Sequence, residues 1–163
     1  MKNIKSNLLK LIISDIENQI TTAEKGRKDA FEESKVHKGA MESRYDTFKE
    51  EAQYLAGGFD TRVQELQSLL ATLKSLPKSS LLATNKVMIG SIVEVEYADD
   101  NTRTKYFLLP VGGGKTYKVN DEEYAVLTFR TPLAKAIMGK AEGEKAEISI
   151  RKTKRRLLIV SVT

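Results

Sequence analysis

The sequence predicts an α+β protein in which an antiparallel helical coiled-coil hairpin precedes an antiparallel β domain with one short helix. Two observations predict it. In the first half, apolar residues recur every three or four positions along two stripes, the pattern of amphipathic helices. After residue 86 the pattern changes to the alternating or β-branched runs that are typical of strands.

The two helices are predicted at residues 4–36 and from the low forties to residue 76. The apolar stripe of the first contains Leu8, Leu9, Ile12, Ile16, Ile20, Ala23, Ala30 and Phe31. The stripe of the second contains Phe48, Ala52, Leu55, Phe59, Val63, Leu66, Leu70 and Leu73, and it stops before Pro77. Because each stripe needs a partner, we expect the chain to reverse near Gly39 into a coiled coil. At 1.5 Å per residue, such an arm would be about 45 Å long.

Two adjacent glycines, Gly57 and Gly58, lie inside the second helix. Each costs a helix about 1 kcal/mol relative to alanine, so a structural reason for them is expected. A bend or hinge, a close contact between the helices, and simply a weak point in the helix are the explanations, and we favour close packing over a hinge.

The second half is predicted to be a separate β domain. We place the hairpin at residues 1–76, a linker at 77–83 and the β domain at 84–163. Its expected strands are residues 89–97, 104–109, 116–119, 124–128, 146–150 and 157–162. Pro132 suits the first position of a helix, and Gly139 and Gly143 suit a helix end and a following turn, so one helix of about two turns is predicted there.

Composition narrows the function classes. The 163 residues contain no cysteine and one histidine, which excludes disulfides, thiolate metal sites and multi-histidine zinc sites within the chain. No apolar run approaches the roughly 18 residues that span a bilayer, so a cytoplasmic protein without a membrane partner is expected. The basic and acidic residues of positions 1–77 are equal in number, so the net charge of +5 arises in the second half.

Two motifs suggest phosphate binding and are weak. Gly112-Gly113-Gly114-Lys115-Thr116 ends like a phosphate-binding loop but lacks the earlier glycine and the following helix, so a hairpin turn is predicted instead. The run at residues 151–156 places five cations in six residues. A solvated turn is favoured over a nucleic-acid site, with a protein-docking surface as a third reading.

The predicted hairpin tip concentrates charged and aromatic side chains, namely Arg44, Tyr45, Asp46, Lys49 and Glu50. Asp46 and Glu50 are four positions apart, so on a helix both carboxylates share one face. Mg²⁺ is commonly held by one or two carboxylates plus phosphate and water, so the pair is a candidate for sharing an ion held elsewhere. Ordinary surface charge is the alternative reading.

Two segments together resemble the Gre family of bacterial transcription elongation factors. One opens with Val87-x-x-Gly90-Ser91-x-Val93 and continues in Thr131-Pro132-Leu133-x-x-Ala136-Ile137-x-Gly139-Lys140, which is similar to the family segment Ser-Pro-Leu-x-x-Ala-Leu-x-Gly-Lys. The other is Phe48-Lys49-Glu50-Glu51-Ala52-Gln53-Tyr54, which is similar to the family sequence Asp-Leu-Lys-Glu-Asn-Ala-Glu-Tyr.

The resemblance implies a C-terminal domain with an FKBP-like fold and RNA polymerase as the partner. Arg130, Thr131, Pro132 and Leu133 would contact the rim of the polymerase secondary channel, and the coiled coil would enter that channel. Asp46 and Glu50 would then share Mg²⁺ with the polymerase and act on nascent RNA at the tip. The chain itself would be no enzyme and would have no cofactor of its own and no small-molecule substrate.

The acidic pair departs from the family pattern. Glu50 falls on the family glutamate, but Thr47 falls on its aspartate, with Asp46 one residue earlier. One position turns a side chain by about 100° around a helix. Promotion of transcript cleavage in backtracked complexes and non-cleaving occupancy of the channel therefore both stay open.

Two rival functions come from other classes. A peptidyl-prolyl isomerase or chaperone is compatible with an FKBP-like fold, although the chain has no tryptophan for an aromatic proline pocket. A coiled-coil interaction module without any polymerase contact is the second.

Overall fold

The computed structural model describes residues 2–36, 42–150 and 153–163. Two long helices come first, α1 at Lys2–Val36 and α2 at Glu42–Lys74, followed by a 3₁₀ helix at Lys78–Leu81. Six strands and one short helix follow: β1 Ile92–Tyr97, β2 Arg103–Leu109, β3 Thr116–Val119, β4 Glu122–Thr128, α3 Pro132–Ile137, β5 Lys145–Ile150 and β6 Thr153–Val162.

The predicted fold class, a helical hairpin followed by a mostly antiparallel β domain with one short helix, is confirmed. No helix in the described ranges is long and apolar enough to cross a membrane.

The chain divides into two compact units. One contains the residues up to Ile12 together with Thr72–Thr163, and the other contains Ile13–Ala71. The ends of the two long helices thus belong to the same unit as the sheet. The boundaries expected at residues 76, 77–83 and 84 stay a prediction.

The helical unit is an antiparallel pair. Its buried apolar side chains are Ile16, Ala23 and Ala30 of α1 and Leu66 of α2. Polar contacts bridge the two helices on the outside: Arg27 forms an ion pair with Asp60 at 3.1 Å, and an Arg62 Nη atom donates to the Gln19 amide oxygen at 3.4 Å. Partner numbers fall in one helix as they rise in the other, as an antiparallel coiled coil requires.

The apolar stripes are not buried throughout. Phe31 and Leu55 belong to the predicted stripes but are 56% and 53% exposed. A helix in a two-helix pair has one neighbour, so residues at the edge of its stripe stay in contact with water. The apolar stripes therefore predicted correctly that the two helices pair, but they predicted more buried side chains than the structure contains.

The close helix packing expected at Gly57 and Gly58 is wrong. A Cβ atom at either position would meet nothing within 4 Å, and both residues are exposed within an unbroken α2. The close approach occurs instead at Gly26 of α1, where a Cβ would lie 2.8 Å from the Phe59 ring. A glycine without helix-breaking neighbours, such as Gly26, gives no signal of this kind in the sequence.

The six strands form one sheet in the order β3-β4-β2-β1-β6-β5. All neighbouring pairs are antiparallel except β2 and β4, which are parallel, with Phe107 opposite Val126. The parallel pair arises because β3 pairs with the outer side of β4 and leaves the inner side to β2. This one pair differs from the expected antiparallel arrangement.

The main core lies between one face of the sheet and α3. Ala134 and Ile137 of α3 are fully buried there. They join a cluster of inward-facing side chains that includes Val93, Val95, Leu108, Leu127, Ala146, Ile148, Leu157 and Ile159. The side chains of Phe107, Leu109 and Val126 alternate with these along the strands and are also buried, so the central strands are covered on both faces.

A buried lysine anchors the start of α1 in the unit that contains the sheet. Lys5 is 1% exposed, and its Nζ donates to the main-chain oxygen of Leu82 at 3.0 Å. Desolvation by burial lowers the pKa of Lys5 below its ordinary value. The contact joins the first turn of α1 to the segment that follows the 3₁₀ helix.

Candidate functional site at the hairpin end and the α3 surface

The first candidate site is the start of α2. Thr47, Lys49 and Glu50 lie in its first turns and are exposed. The side chains of Arg44, Tyr45 and Asp46 lie outside the described part of the chain, as does the predicted reversal at residues 37–41. The role of these side chains stays a prediction.

The backbone of this segment settles one question about its winding. It is α-helical without interruption from Glu42 to Lys74, so residues 46–50 follow ordinary helical geometry. Thr47 therefore occupies the helical position that the family aspartate would have relative to Glu50, and Asp46 is rotated from it by about 100°.

A cleft of about 680 Å³ lies between α1 and α2 near this end. Phe31, Ala52, Ala56 and Gly57 provide its apolar part, and charged side chains from both helices provide its rim. Two of the rim cations are engaged, because Arg27 pairs with Asp60 and Lys28 pairs with Glu32. This cleft was not predictable from the sequence, because it depends on which stripe residues remain uncovered in the folded hairpin.

The second candidate site is the entry to α3. Thr131 is the N-cap: its Oγ1 accepts from the Ala134 amide at 3.2 Å and donates to the Thr128 carbonyl at 2.9 Å. Pro132 follows at the first helical position and is exposed, while Leu133 packs partly against the core. These two hydrogen bonds of the Thr131 hydroxyl hold the Thr131-Pro132-Leu133 segment in one conformation at the start of α3.

Arg130 precedes this cap and is exposed. Its guanidinium lies over the ring of Phe129, 5.6 Å from the ring centre, and Phe129 is 37% exposed. Phe129 is not among the residues predicted for this site from the sequence. An aromatic residue directly before a basic residue at a helix entry is the signal that was available.

The glycine-rich segment leads from β2 into β3 without a helix, but the predicted hairpin turn is wrong: β2 and β3 lie on either side of β4, so the segment is a loop that connects two strands that do not pair with each other. The amide of Gly114 donates to the Val126 carbonyl at 3.1 Å, so it is engaged in the sheet and does not point toward a phosphate. Gly112 and Gly114 have φ values of +82° and +96°, which only glycine adopts readily.

The basic run is largely neutralised where it is described. Residues 151 and 152 lie outside the described ranges. Lys154 pairs with Glu147 at 3.2 Å, and the Arg155 guanidinium contacts Asp99 at 2.8 Å and stacks on Tyr97 at 4.4 Å. The hydrogen bond to Asp99 raises the pKa of Arg155. These pairs favour the solvated, self-paired turn over a phosphate-binding site.

A second charged cluster lies where β2 and β4 begin. Lys105 is hydrogen-bonded to Glu122, whose other oxygen accepts from the Tyr124 hydroxyl at 2.6 Å. The hydrogen bond from Lys105, and to a smaller extent the one from Tyr124, lowers the pKa of Glu122. Burial, and then the hydrogen bond to the Glu122 carboxylate, raises the pKa of Tyr124 to about 12. At neutral pH both groups are held away from titration, so the cluster is suited to fixing strand register and not to proton transfer.

In the described ranges no three His, Cys, Asp or Glu side chains come together as a metal site. A pair such as Asp46 and Glu50 could supply two ligands at most, so the sharing of Mg²⁺ with a partner stays a prediction.

The fold is a helical hairpin joined to a β domain whose short helix begins at the capped Thr131-Pro132-Leu133 segment, and comparison with known proteins identifies the family. Residues 82–163 match the family model "Transcription elongation factor, GreA/GreB, C-term". The chain belongs to the GreA/GreB family of transcription elongation factors.

Individual relatives agree with this assignment. A transcription elongation factor GreA from Mycoplasma pneumoniae is 31% identical over 65% of this chain and 62% of its own length. Another from Halorhodospira halophila is 25% identical over 82% of this chain and 78% of its own length. The chain thus spans less than two thirds of the Mycoplasma protein.

Solved structures show weaker similarity. The crystal structure of Thermus aquaticus Gfh1 is 17% identical, with 91% of this chain and 92% of that chain covered, at a TM-score of 0.39. At this TM-score, the similarity adds nothing to the family assignment.

Proposed function

We propose that this chain binds bacterial RNA polymerase. It would dock through the α3 surface, which is formed by Arg130, Thr131, Pro132 and Leu133, and insert its helical hairpin into the secondary channel. The observation that carries the proposal is the family match over the whole β domain together with the helical hairpin that precedes it. The polymerase would perform any hydrolysis, and the chain would contribute side chains at the hairpin end. Nascent RNA in the channel would be the second contact.

The first candidate activity is stimulation of transcript cleavage in backtracked complexes. Glu50 is exposed on α2, where it can reach a metal ion held by a partner. With Asp46, it would share Mg²⁺ and help to orient the attacking water.

The second candidate activity is occupancy of the channel without cleavage. The uninterrupted helix supports it, because Asp46 then lies about 100° away from the position that the family aspartate takes relative to Glu50. Thr47 at that position has a hydroxyl and no charge to offer a metal ion.

A cleavage assay on stalled polymerase complexes separates the two activities. If the intact chain stimulates cleavage, Glu50→Ala is expected to reduce cleavage to the level without the protein, because a metal-binding carboxylate is lost. Glu51→Ala is the matched control: Glu51 is equally exposed on the next helical position and should have no effect. Full stimulation by Glu50→Ala would contradict the role of the acidic pair.

If the intact chain does not stimulate cleavage, Thr47→Asp becomes the informative variant. It restores a carboxylate three residues before Glu50, and it is expected to create measurable stimulation. A chain that binds polymerase but stays inactive with this substitution would show that spacing is not what limits cleavage.

A further inference from the structure

The surface around α3 has an unusual charge distribution. Residues 101–120 and 124–141 contain no aspartate or glutamate. In the fold these segments form β2, β3, most of β4 and α3, together with the glycine-rich segment. The acidic residues Glu122 and Glu123 lie at the start of β4, at the opposite end of the strand from α3. The entry to α3 therefore has cations and no carboxylate in its own sequence segment, whereas Glu142 and Glu144 follow the other end of the helix, with Glu144 paired to Lys140.

Two of these cations occupy positions that normally face each other. Arg130 directly precedes the Thr131 cap, and Lys135 is the fourth residue after the cap. Residues at these two positions commonly pack together as an apolar pair at a helix start. Here both are exposed cations, and no carboxylate of the described residues lies within ion-pair distance of either. Both charges are therefore available to an acidic group of a partner.

An apolar cleft adjoins the cation pair. It has a volume of about 580 Å³, and Thr131 lines it. Its other walls come from the glycine-rich segment and from Tyr106, Ala125, Val126 and Leu127. A partner that places an acidic group on Arg130 and Lys135 can therefore place a neighbouring apolar side chain in this cleft.

We infer that Arg130 and Lys135 form a two-cation clamp for an acidic protein segment of the docking partner, whose adjacent apolar side chain enters the cleft beside Thr131. This inference rests on the proposed function, which makes the partner RNA polymerase. A protein segment fits better than a nucleic acid, because the Arg130 guanidinium already lies over the Phe129 ring and would compete with a base for stacking there.

Charge reversal tests the inference on the full chain binding to core RNA polymerase. Arg130→Glu and Lys135→Glu are each expected to weaken binding by about tenfold, because each replaces an attraction by a repulsion. The double variant should also lose most of the salt dependence that the intact chain shows. Lys145→Glu is the matched control, with the same change in charge at the exposed first residue of β5. Its neighbour Ala146 faces α3 in the core, so Lys145 lies on the opposite face of the sheet, and this variant should bind like the intact chain.

The outcomes separate the two levels of the proposal. If the intact chain does not bind polymerase, the proposed function fails and the clamp fails with it. If the intact chain binds and the reversed variants, shown to be folded by circular dichroism, bind equally well at low salt, the clamp alone is wrong. Loss of binding to a short single-stranded RNA, with polymerase binding unchanged, would overturn it in favour of a nucleic-acid site.

Discussion

Gly90→Ala is expected to destabilise the β-domain unit by about 3 kcal/mol or more, because an added Cβ atom would make a closer contact here than at any other glycine in the described ranges. Gly90 has a φ of +89°, and a Cβ atom there would lie 2.0 Å from the main-chain oxygen of Ser80. A backbone oxygen cannot turn away as a side chain can. Either the 3₁₀ helix at Lys78–Leu81 or the turn before β1 must therefore move.

The turn has little freedom to move. The Gly90 amide donates to the Leu108 carbonyl at 2.8 Å, and the fully buried Ser91 closes the turn through hydrogen bonds to both the amide and the carbonyl of Met88. Shifting it would break bonds to β2 as well as the contact with the 3₁₀ helix. Strain from the substitution is thus passed to the sheet.

Gly114→Ala is the matched control for this prediction. Gly114 has a similar φ of +96°, but a Cβ atom there would meet nothing within 4 Å. It should cost only the backbone penalty of about 1–2 kcal/mol. Denaturant unfolding of both variants measures the difference, and equal losses would show that the approach of Ser80 is unimportant.

Ile137→Ala is expected to cost about 2–5 kcal/mol of unfolding free energy, the range for truncating a fully buried isoleucine. Ile137 is 0% exposed and is one of two α3 residues in the main core. The helix has only six residues, so packing and its cap must stabilise it where length cannot. The loss would also weaken the packing of α3 against the core, and with it the positions of Pro132, Arg130 and Lys135.

Lys135→Ala separates packing from helix propensity in the same element. Lys135 is exposed on α3, so this change should alter stability by no more than about 0.5 kcal/mol. Thermal or urea unfolding of the two variants provides the comparison. A loss for Ile137→Ala as small as that for Lys135→Ala would mean that α3 is not anchored through the core.

Local patterns predicted most of the secondary structure. The two stripes gave the hairpin, alternation gave all six strands, and Pro132 with Gly139 gave α3, because each of these signals acts within a few residues of the chain. The parallel pairing of β2 with β4 was not predicted, since pairing depends on contacts between distant segments. Gly26 shows the same limit: its need for a small side chain comes from Phe59, thirty-three positions away.

The candidate sites followed the same division. The cap and first turn of α3 were readable from Thr131 and Pro132, because capping is local. The placement of Arg130 over Phe129, and the cleft beside Thr131, required the fold. At the hairpin end, the sequence showed that Asp46 lies one position away from the family aspartate. Because α2 is a continuous helix over Glu42–Lys74, that shift corresponds to a rotation of about 100° around the helix.

Entry of the hairpin into the polymerase secondary channel can be measured by cross-linking from residue 49. A photoreactive residue replacing the exposed Lys49 should cross-link to the RNA 3′ end in backtracked complexes, whereas the same residue replacing Lys145 on β5 should not. Cross-links to RNA from position 49 but not from position 145 are the predicted result. Stable binding to polymerase with no cross-link to RNA from position 49 would contradict channel entry.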